Sequence, residues 1–334
     1  MNVLVTGATG FLGFHLAEKL KQEGYHVTAT GRNRKIANEL RKKGISFLAC
    51  DLTDEEKTIA LCKNQDFIFH TAALSSPWGK YEEFYQANVK TTKNIIQGCK
   101  TYHPKRLIHV STPSIYFNHD ERIGVKEDDM LPPVFVNHYA HTKWLAEQEI
   151  DQAFAEGIST ITIRPRALFG PRDTTIIPRL IRANEKESLP LFGDGKTLMD
   201  ITYVGNVVDA LLLCMHSPEC TIGQKYNITN GDPVYLIDML QLLFSKLHLP
   251  FQPKYMSFSS AYRLAYAMEG VHRVFRIQKE PLLTRYTVGV LGKSQTLNIT
   301  KAKNELGYKP SVSVKEGLDL FVKWWKEQHE HGDI

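Results

Sequence analysis

The sequence predicts an α/β protein with a doubly wound parallel sheet and a smaller, mostly helical C-terminal lobe. Three observations lead to this prediction. Short apolar runs alternate with helical patterns over the first half of the chain. The first run ends in a glycine-rich turn that opens directly into a helix. The composition, 43% hydrophobic and 23% charged over 334 residues, is that of a globular protein with a large core.

The glycine turn lies at the start of the sequence, in MNVLVTGATGFLG. Gly7, Gly10 and Gly13 are spaced G-x-x-G-x-x-G between an apolar run and a helical pattern. Gly7 can adopt angles that a Cβ would forbid. Gly10 lets the backbone approach a pyrophosphate, and Gly13 lets helix and strand pack closely. The free N–H groups of the helix end favour phosphate charge. This Rossmann-type turn predicts a dinucleotide site formed by Gly7, Thr9, Gly10, Phe11, Leu12 and Gly13.

The residues after the second predicted strand, 26–31, bear on the choice of nicotinamide cofactor. An acidic residue there would bind the adenosine ribose hydroxyl, whereas an arginine would accommodate a 2′-phosphate. The sequence has no acid but two arginines, Arg32 and Arg34. Two guanidinium groups match a phosphate in charge and geometry. We therefore expect NADP, with NAD as the alternative if both arginines are solvated loop residues.

The third and fourth predicted strands, 45–50 and 67–70, are also followed by ligand-compatible residues. Asp51, followed by Leu52, could accept a hydrogen bond from an adenine amino group or cap the helix that begins near Asp54. Thr71, Ala72 and Ala73 have small side chains that would let a ligand lie against the backbone. These five residues follow the ends of their strands, which is where such folds bind ligands.

The remaining elements complete the sheet and begin a second lobe. Helices are predicted at 80–100, which contains Asn88, and at 139–156, with strands at 106–110 and 160–163. Beyond Pro165 we expect a helix at 176–187, a turn at 192–195, an extended stretch at 199–204, a helix at 205–216 and a strand at 226–228. We divide the chain into a dinucleotide-binding domain, 1–165 with 198–230 returning to it, and a substrate-binding lobe of 166–197 and 231–334.

Three polar residues carry the predicted chemistry. Thr112 follows the fifth strand, and Tyr139 and Lys143 share one helix face because they are one turn apart. Lys143 and a positive nicotinamide ring would stabilise a Tyr139 phenolate. Tyr139 could then exchange a proton with a substrate oxygen while hydride passes to or from the nicotinamide. Thr112 would hold that oxygen, and Lys143 could also hydrogen-bond the nicotinamide ribose. We therefore expect Tyr139 and Lys143 to be cofactor contacts as well.

Charge and cysteine usage exclude several other classes of protein. The formal net charge is +5, from 41 basic and 36 acidic residues, and no long basic run indicates nucleic-acid binding. The five cysteines lack metal-site spacing, so we expect that the protein binds no metal. We also expect the thiols to be reduced and the protein to be cytoplasmic. The first strand begins at once, which leaves no room for a signal peptide. No apolar run is long enough for a membrane span.

As a set, these motifs resemble those of extended short-chain dehydrogenases/reductases. The matching segments are TGATGFLG at 6–13, DL at 51–52, HTAA at 70–73, NV at 88–89, ST at 111–112, Tyr139 with Lys143, RP at 164–165 and YV at 203–204. The resemblance implies Thr112 as the catalytic hydroxyl, a nicotinamide contact by Pro165 and a cofactor-site role for Asn88. It also implies a homodimer formed through the helices at 80–100 and 139–156.

A narrower resemblance points to the 3β-hydroxysteroid dehydrogenase branch, which includes sterol-carboxylate dehydrogenases and bacterial 2-alkyl-3-keto acid reductases. It rests on WGKYEEFYQANV at 78–89, STPSIYF at 111–117, RPRALFGPRDT at 164–174, EPLLTR at 280–285 and KAKNELGYKP at 301–310. It implies oxidoreduction at a hydroxyl- or ketone-bearing carbon of a bulky apolar small molecule. The arginines that favour NADP shift this expectation toward reduction. By position, the substrate residues are Ser75, Trp78, Tyr116 and Arg166.

Two alternatives stay open. A nucleotide-sugar epimerase or dehydratase would need cations for a diphosphate, and Arg179, Arg182, Arg263 and Arg276 could supply them. A non-catalytic NADP-sensing protein is the other alternative. Such relatives typically lose the tyrosine or the lysine, whereas this chain keeps both Tyr139 and Lys143.

Overall fold

The computed structural model describes residues 1–186 and 189–330. Its strands, in chain order, are β1 Asn2–Thr6, β2 His26–Ala29, β3 Ser46–Phe47, β4 Phe67–His70, β5 Arg106–Val110, β6 Arg122–Val125, β7 Thr160–Pro165, β8 Leu168–Phe169, β9 Leu189–Phe192, β10 Leu198–Met199, β11 Thr202–Tyr203, β12 Lys225–Ile228, β13 Val234–Tyr235, β14 Pro253–Met256 and β15 Gln295–Leu297.

The α-helices of the described residues lie between these strands and after the last of them. They are α1 Phe11–Gln22, α2 Arg34–Lys42, α3 Glu55–Leu61, α4 Tyr81–Phe84, α5 Thr91–Tyr102, α6 His138–Ala155, α7 Ile177–Lys186, α8 Val204–His216, α9 Leu236–Leu247, α10 Phe258–Val274, α11 Arg285–Gly292, α12 Thr300–Leu306 and α13 Val314–Glu330. A π-helical turn, Tyr85–Lys90, joins α4 to α5, and a 3₁₀ turn, Pro113–Tyr116, follows β5.

The central sheet has seven strands in the order β12-β7-β5-β4-β1-β2-β3, and every pair in it is parallel. This confirms the predicted doubly wound sheet. The chain runs outward in both directions from β1 and β4, so the switch in strand order lies between these two strands. Ligands bind such sheets at that switch point, beyond the carboxyl ends of the strands.

Each face of the sheet packs against its own helices, because neighbouring residues of a strand point to opposite faces. Val3 and Val5 join a core with α1 and α8, whereas Leu4 joins a second core with α3, α5 and α6. The near-continuous apolar sequence of β1 is what burial on both faces requires. A third core lies where α9 and α13 pack together around Phe244 and Phe321.

The edges of the predicted elements differ from the observed ones in ways that shape the site. The second strand ends at Ala29 rather than at 31, because the carbonyl of Thr30 turns to accept from the N–H of Ala8 in the glycine turn. The third strand is shorter, Ser46–Phe47. The helix predicted at 80–100 is interrupted by the π turn.

The lobe predictions have mixed outcomes. A strand at 225–228 does join the sheet, with Ile228 beside Pro165. The helix predicted at 176–187 is α7, Ile177–Lys186, and position 187 lies outside the described residues. Positions 331–334 of the predicted lobe also lie outside them. The division into two domains stays a prediction. No helix in the described part of the chain is long and apolar enough to cross a membrane.

Candidate functional site

The glycine turn caps the carboxyl end of β1 and begins α1. Gly7 has φ +66°, and a Cβ built on it would lie 2.7 Å from the backbone of Ala72. A Cβ on Gly13 would lie 2.4 Å from the carbonyl oxygen of Gly7. Helix α1 begins after Gly10 without a side-chain cap, and its first turn holds no acidic residue. The helix therefore presents uncapped N–H groups toward the switch point, as a phosphate site requires.

Replacing Gly13 with Ala should weaken nucleotide binding and the fold together. The added methyl collides with backbone, so α1 must move away from β1, and overpacking of this kind costs about 1–3 kcal/mol. Gly270→Ala is the matched control, because nothing lies within 4 Å of a Cβ at that helical position. Thermal melts with and without NADPH measure both effects. An unchanged melting temperature and an unchanged shift with NADPH in Gly13→Ala would contradict the packing role.

A groove of about 560 Å³ extends from the glycine turn across the ends of β2, β3 and β4. Many of the predicted cofactor residues line it, namely Gly7, Thr9, Gly10, Arg32, Asp51, Leu52, Thr71, Ala72 and Ala73. The other predicted cofactor residues do not line it, namely Phe11, Leu12, Gly13, Arg34, Asn88, Tyr139, Lys143 and Pro165. Arg34 is instead the first residue of α2, which Asn33 caps by accepting from the N–H groups of Lys35 and Ile36. The two arginines thus differ in their relation to the groove.

Asp51 faces the groove and does not cap the following helix. Its Oδ1 accepts from the N–H and the hydroxyl of Thr53, at 3.0 and 2.8 Å. These hydrogen bonds, together with the charge of Arg32, hold the pKa of Asp51 below its usual range. The cap of α3 is Asp54, which accepts from the N–H of Lys57. The capping alternative for Asp51 is therefore wrong, and an acceptor that lines the groove remains.

Asn88 fixes the loop that follows β4. Its Oδ1 accepts from the N–H of Leu74 at 2.7 Å, and its Nδ2 donates to the carbonyl of Leu74 and to the hydroxyl of Thr142. Asn88 is buried and lies within the π turn, a feature that often marks functional sites. The side chain therefore holds the loop between the groove and α6 rather than lining the groove itself.

The structure brings Thr112, Tyr139 and Ser75 together at the end of β5, and we call these three side chains the hydroxyl cluster. Thr112 accepts from the N–H of Ser114 and donates to its hydroxyl, at 3.2 and 3.1 Å. Burial raises the pKa of Tyr139, and the hydroxyls of Thr112 and Ser75, which lie beside the phenol, partly oppose that shift. Without a bound cation the phenol is therefore neutral at physiological pH. A neutral phenol can donate a proton.

Lys143 is buried beneath this cluster. Its Nζ donates to the carbonyl of Val110 at 2.7 Å and lies 3.3 Å from Nε2 of His109. Burial lowers the pKa of Lys143 to about 8, against the charge of Glu147 one turn away. Burial also holds His109 neutral, with its pKa well below the usual value. The sequence analysis missed His109, whose place in an apolar strand gives no separate signal.

A buried ion pair supports the same helix. Arg164 donates to both carboxylate oxygens of Glu147, from Nε at 2.9 Å and from Nη2 at 2.5 Å. Its Nη1 donates to the hydroxyl of Tyr116, which in turn donates to Asn227 at 3.0 Å. Tyr116 is 0% exposed. The prediction that it lines the substrate site is therefore wrong, because its ring is buried in the core and its hydroxyl is hydrogen-bonded to Arg164 and Asn227.

A second cavity, of about 740 Å³, lies between helices α10 and α11 and the segments around Trp78 and 131–144. Much of its lining is apolar and includes Trp78, Phe84, Phe135 and Trp144. Glu269, Arg273, Arg285 and Tyr286, from α10 and α11, also line it, and the guanidinium of Arg273 lies 5.9 Å from the ring of Trp78. Of the predicted substrate residues, Trp78 is the one that lines this cavity. An apolar lining with a few polar groups suits a bulky apolar molecule with a polar end.

Tyr286 connects the second cavity to the hydroxyl cluster. Its hydroxyl lies 2.9 Å from Oγ of Ser114, which is bonded to Thr112. The phenol of Tyr286 is also near enough to Tyr139 to raise its pKa further. Sequence reasoning missed Tyr286 because α11 follows β5 by more than 170 residues and carries no local motif.

The arginines proposed for a diphosphate are engaged elsewhere or lie outside both cavities. Arg179 pairs with Glu280 at 3.4 Å on the surface, and Arg263 donates to a carbonyl of its own helix. None of the four arginines, including Arg182 and Arg276, lines either of the two cavities. The described residues therefore hold no cluster of these side chains at the reaction site.

Comparisons with known proteins agree with this geometry. Residues 3–229 match the model of the NAD dependent epimerase/dehydratase family. A 2-alkyl-3-oxoalkanoate reductase of Stenotrophomonas maltophilia is 33% identical over 95% of this chain and 97% of its own. The decarboxylating sterol-4-alpha-carboxylate 3-dehydrogenase of Candida albicans is 32% identical over 98% of each. UDP-glucuronic acid 4-epimerase from Bacillus cereus, solved with NAD, shares the fold (TM-score 0.79, 23% identity, 98% and 99% covered).

Proposed function

Since the chain belongs to the NAD dependent epimerase/dehydratase family, we propose that it transfers a hydride between a nicotinamide cofactor and a 3-keto or 3-hydroxy group. It is an NAD(P)-dependent oxidoreductase of the extended short-chain type. The substrate is a bulky apolar molecule, held in the cavity between α10, α11 and the sheet domain. The observation that carries this proposal is that Thr112, which lies beside Tyr139, is linked through Ser114 to Tyr286, and Tyr286 lines that cavity.

The proposed roles follow from the contacts of each side chain. Tyr139 gives the proton to the carbonyl oxygen, and Thr112 and Ser75 hold that oxygen. Lys143 supplies positive charge from beneath and hydrogen-bonds the nicotinamide ribose. A hydride donor of the nicotinamide type supplies the electron pair, so the chain contributes position and proton transfer. Asn88 and the Glu147–Arg164 pair hold these groups in place.

The proposal also includes a preference for NADP. Arg32 lines the groove where the adenosine ribose of a dinucleotide would lie, and the end of β2 carries no acid to bind a 2′-hydroxyl. Asp51 stands on the same groove as the acceptor for the adenine amino group. A preference for NADPH favours reduction of a ketone as the direction of the reaction.

Replacing Arg32 with Ala should lower kcat/KM for NADPH by about tenfold to a hundredfold, since a charge-assisted phosphate contact is worth that much. Activity with NADH should not change. Arg34→Ala is the control, with a smaller effect, because Arg34 lies outside the groove lining. Parallel steady-state titrations of the wild type and of both variants with each nucleotide measure the six values of kcat/KM. An equal loss with NADPH and NADH in Arg32→Ala would contradict the phosphate role.

A homodimer in the cytoplasm completes the proposal. The family resemblance supports a dimer formed through the helices at 80–100 and 139–156. Sedimentation equilibrium tests it: twice the chain mass of 38.0 kDa supports the dimer, and the single mass contradicts it.

A further inference from the structure

His109 occupies a position in β5 that packing alone would fill with an apolar side chain. Neighbouring residues of a strand face opposite sides of the sheet, so His109 shares the face of Leu107, which packs into the core with α3, α5 and α6. Its side chain is 0% exposed, and the proposed mechanism gives it no role. Burying a polar group is unfavourable unless it is hydrogen-bonded, so the contacts of His109 indicate what it does.

The contacts of His109 lead to Lys143. Nε2 of His109 lies 3.3 Å from Nζ of Lys143, and the carbonyl of the next residue, Val110, accepts from the same Nζ at 2.7 Å. The end of β5 thus supplies two acceptors to one ammonium group, a ring nitrogen and a carbonyl oxygen. An ammonium group has three N–H donors. One donor therefore remains for the nicotinamide ribose, and the two protein contacts restrict its direction.

The contact with Lys143 also determines the tautomer of His109. Burial holds the pKa of His109 well below its usual value, so the ring is neutral and carries one proton. A charged Lys143 can only donate, so Nε2 must accept and the proton must lie on Nδ1. Nδ1 is buried and has no hydrogen-bond partner in the described residues. The fold therefore satisfies the ring nitrogen that faces Lys143 and leaves the other one unsatisfied.

His70 shows the contrasting case on the neighbouring strand. It pairs with His109 across β4 and β5, and the two ring centroids are 5.5 Å apart. Its Nδ1 lies 2.9 Å from the hydroxyl of Thr6, and its Nε2 lies 3.0 Å from the hydroxyl of Thr92. A hydroxyl can donate or accept, so both ring nitrogens of His70 are satisfied. His70 thus has the contacts of a structural core histidine.

The charged groups around Lys143 offer it no direct partner in the described part of the chain. Glu147, one turn later on α6, favours the charged form of Lys143, but Arg164 binds both carboxylate oxygens of Glu147. The ammonium therefore depends on the two neutral acceptors at the end of β5. The other titratable groups that face Lys143 and His109 are the neutral ring of His70, the neutral phenol of Tyr139, and Lys225, which pairs with Asp151 at 2.6 Å.

We propose that His109 is a positioning residue for Lys143: its neutral ring, protonated at Nδ1, accepts from the ammonium group and maintains the charge and direction of that group. This inference rests on the proposed function, in which Lys143 supplies positive charge to Tyr139 and binds the nicotinamide ribose. Removing the acceptor disfavours the charged form of Lys143, so its pKa falls. The Tyr139 phenolate that forms during ketone reduction then loses its neighbouring charge at a lower pH.

The first test is the pH dependence of kcat for reduction of a 2-alkyl-3-keto acid with saturating NADPH, from about pH 6 to about pH 10. In the wild type the rate falls on the alkaline side as Lys143 loses its proton. In His109→Leu this fall should begin about one pH unit lower, as expected for the loss of one hydrogen bond to a charged group. His109→Gln should keep the wild-type profile, because its amide oxygen reaches the position of Nε2. His109→Asn reaches only the position of Nδ1 and should shift as His109→Leu does.

His70→Leu is the matched control. It also removes a buried imidazole, from the neighbouring strand, but it leaves both acceptors of Lys143 in place. This variant should lower the melting temperature without moving the alkaline side of the pH profile. It therefore separates the loss of a buried histidine from the loss of the acceptor.

A second measurement needs neither nucleotide nor substrate. Heteronuclear NMR of the nucleotide-free protein, labelled at the histidine nitrogens, distinguishes the two neutral tautomers from each other and from the doubly protonated ring. The signal that disappears in His109→Gln belongs to His109. Below the pKa of Lys143 it should be that of a neutral ring with its proton on Nδ1. A proton on Nε2, or a doubly protonated ring, would overturn the proposal.

The outcomes of the pH profiles are equally decisive. An alkaline side that is the same in His109→Leu and the wild type overturns the positioning role. An equal shift in His109→Leu, His109→Asn and His109→Gln also overturns it, and so does an equal shift in His70→Leu. If the wild type reduces no keto acid, the proposed function itself fails, and the tautomer found by NMR then decides whether His109 accepts from Lys143.

Discussion

Tyr139→Phe lowers kcat for ketone reduction by about 10²- to 10⁴-fold, the usual contribution of a positioned acid. The substitution removes the hydroxyl that lies beside Thr112 and Ser75 and leaves the ring in place. Nucleotide binding should be unchanged, because the groove is lined by residues of other elements. Stopped-flow measurement of NADPH oxidation under single-turnover conditions isolates the chemical step from product release.

The control for this experiment is Tyr102→Phe, at the exposed end of α5. This substitution also removes a phenolic hydroxyl, but far from the reaction site, so the variant should keep full activity. A Tyr139→Phe protein that binds NADPH and retains more than about a tenth of the wild-type rate would contradict the proton-transfer role.

Glu147→Ala should destabilise the fold by about 3–5 kcal/mol, because it leaves the guanidinium of Arg164 buried without its partner. The two side chains are 1% and 4% exposed, so solvent cannot replace the lost carboxylate. The damage reaches the site, since Glu147 lies one turn after Lys143 on α6. Urea unfolding monitored by circular dichroism gives the free-energy change.

Glu149→Ala is the matched control on the same helix. Glu149 pairs with Lys93 at 3.2 Å on the surface, where such a pair contributes less than about 1 kcal/mol. A loss in Glu147→Ala no larger than in Glu149→Ala would show that the buried pair is not a support of the helix.

The same pair predicts how stability depends on pH. Burial works against ionisation of Glu147, but the charge of Arg164 and its hydrogen bonds dominate and hold the pKa below its usual value. A carboxyl group with a lowered pKa in the folded state stabilises the protein fully above its unfolded pKa, near about 4.3. That stabilisation is lost as the pH falls through the folded value. The pH dependence below about pH 4.3 should therefore be weaker in Glu147→Ala.

The parts of the fold that could be predicted are those with local patterns. β4 and β5 occupy the predicted ranges 67–70 and 106–110, because buried parallel strands are short apolar runs with clear ends. The glycine turn is equally predictable, because a Cβ at Gly7 or Gly13 would collide with the backbone.

The parts that could not be predicted depend on distant contacts. Tyr116 has the composition of a pocket residue, but Arg164 and Asn227 enclose it in the core. Arg166 meets Gln295 from 129 positions away, and Tyr286 reaches Ser114 from 172 away. The π turn around Asn88 has no sequence signature either. Sequence pattern thus identified the buried strands and the glycine turn, whereas the residues that line the second cavity depend on how α10 and α11 pack.

The most direct test of the account is steady-state oxidation of NADPH and of NADH, side by side, with a 2-alkyl-3-keto acid as the substrate. The account predicts turnover with a strong preference for NADPH, since Arg32 lines the nucleotide groove and the hydroxyl cluster adjoins an apolar cavity. Turnover that favours NADH would remove the arginine argument and keep the mechanism. Tight nucleotide binding without turnover in either case, together with conversion of a nucleotide sugar, would contradict the central claim.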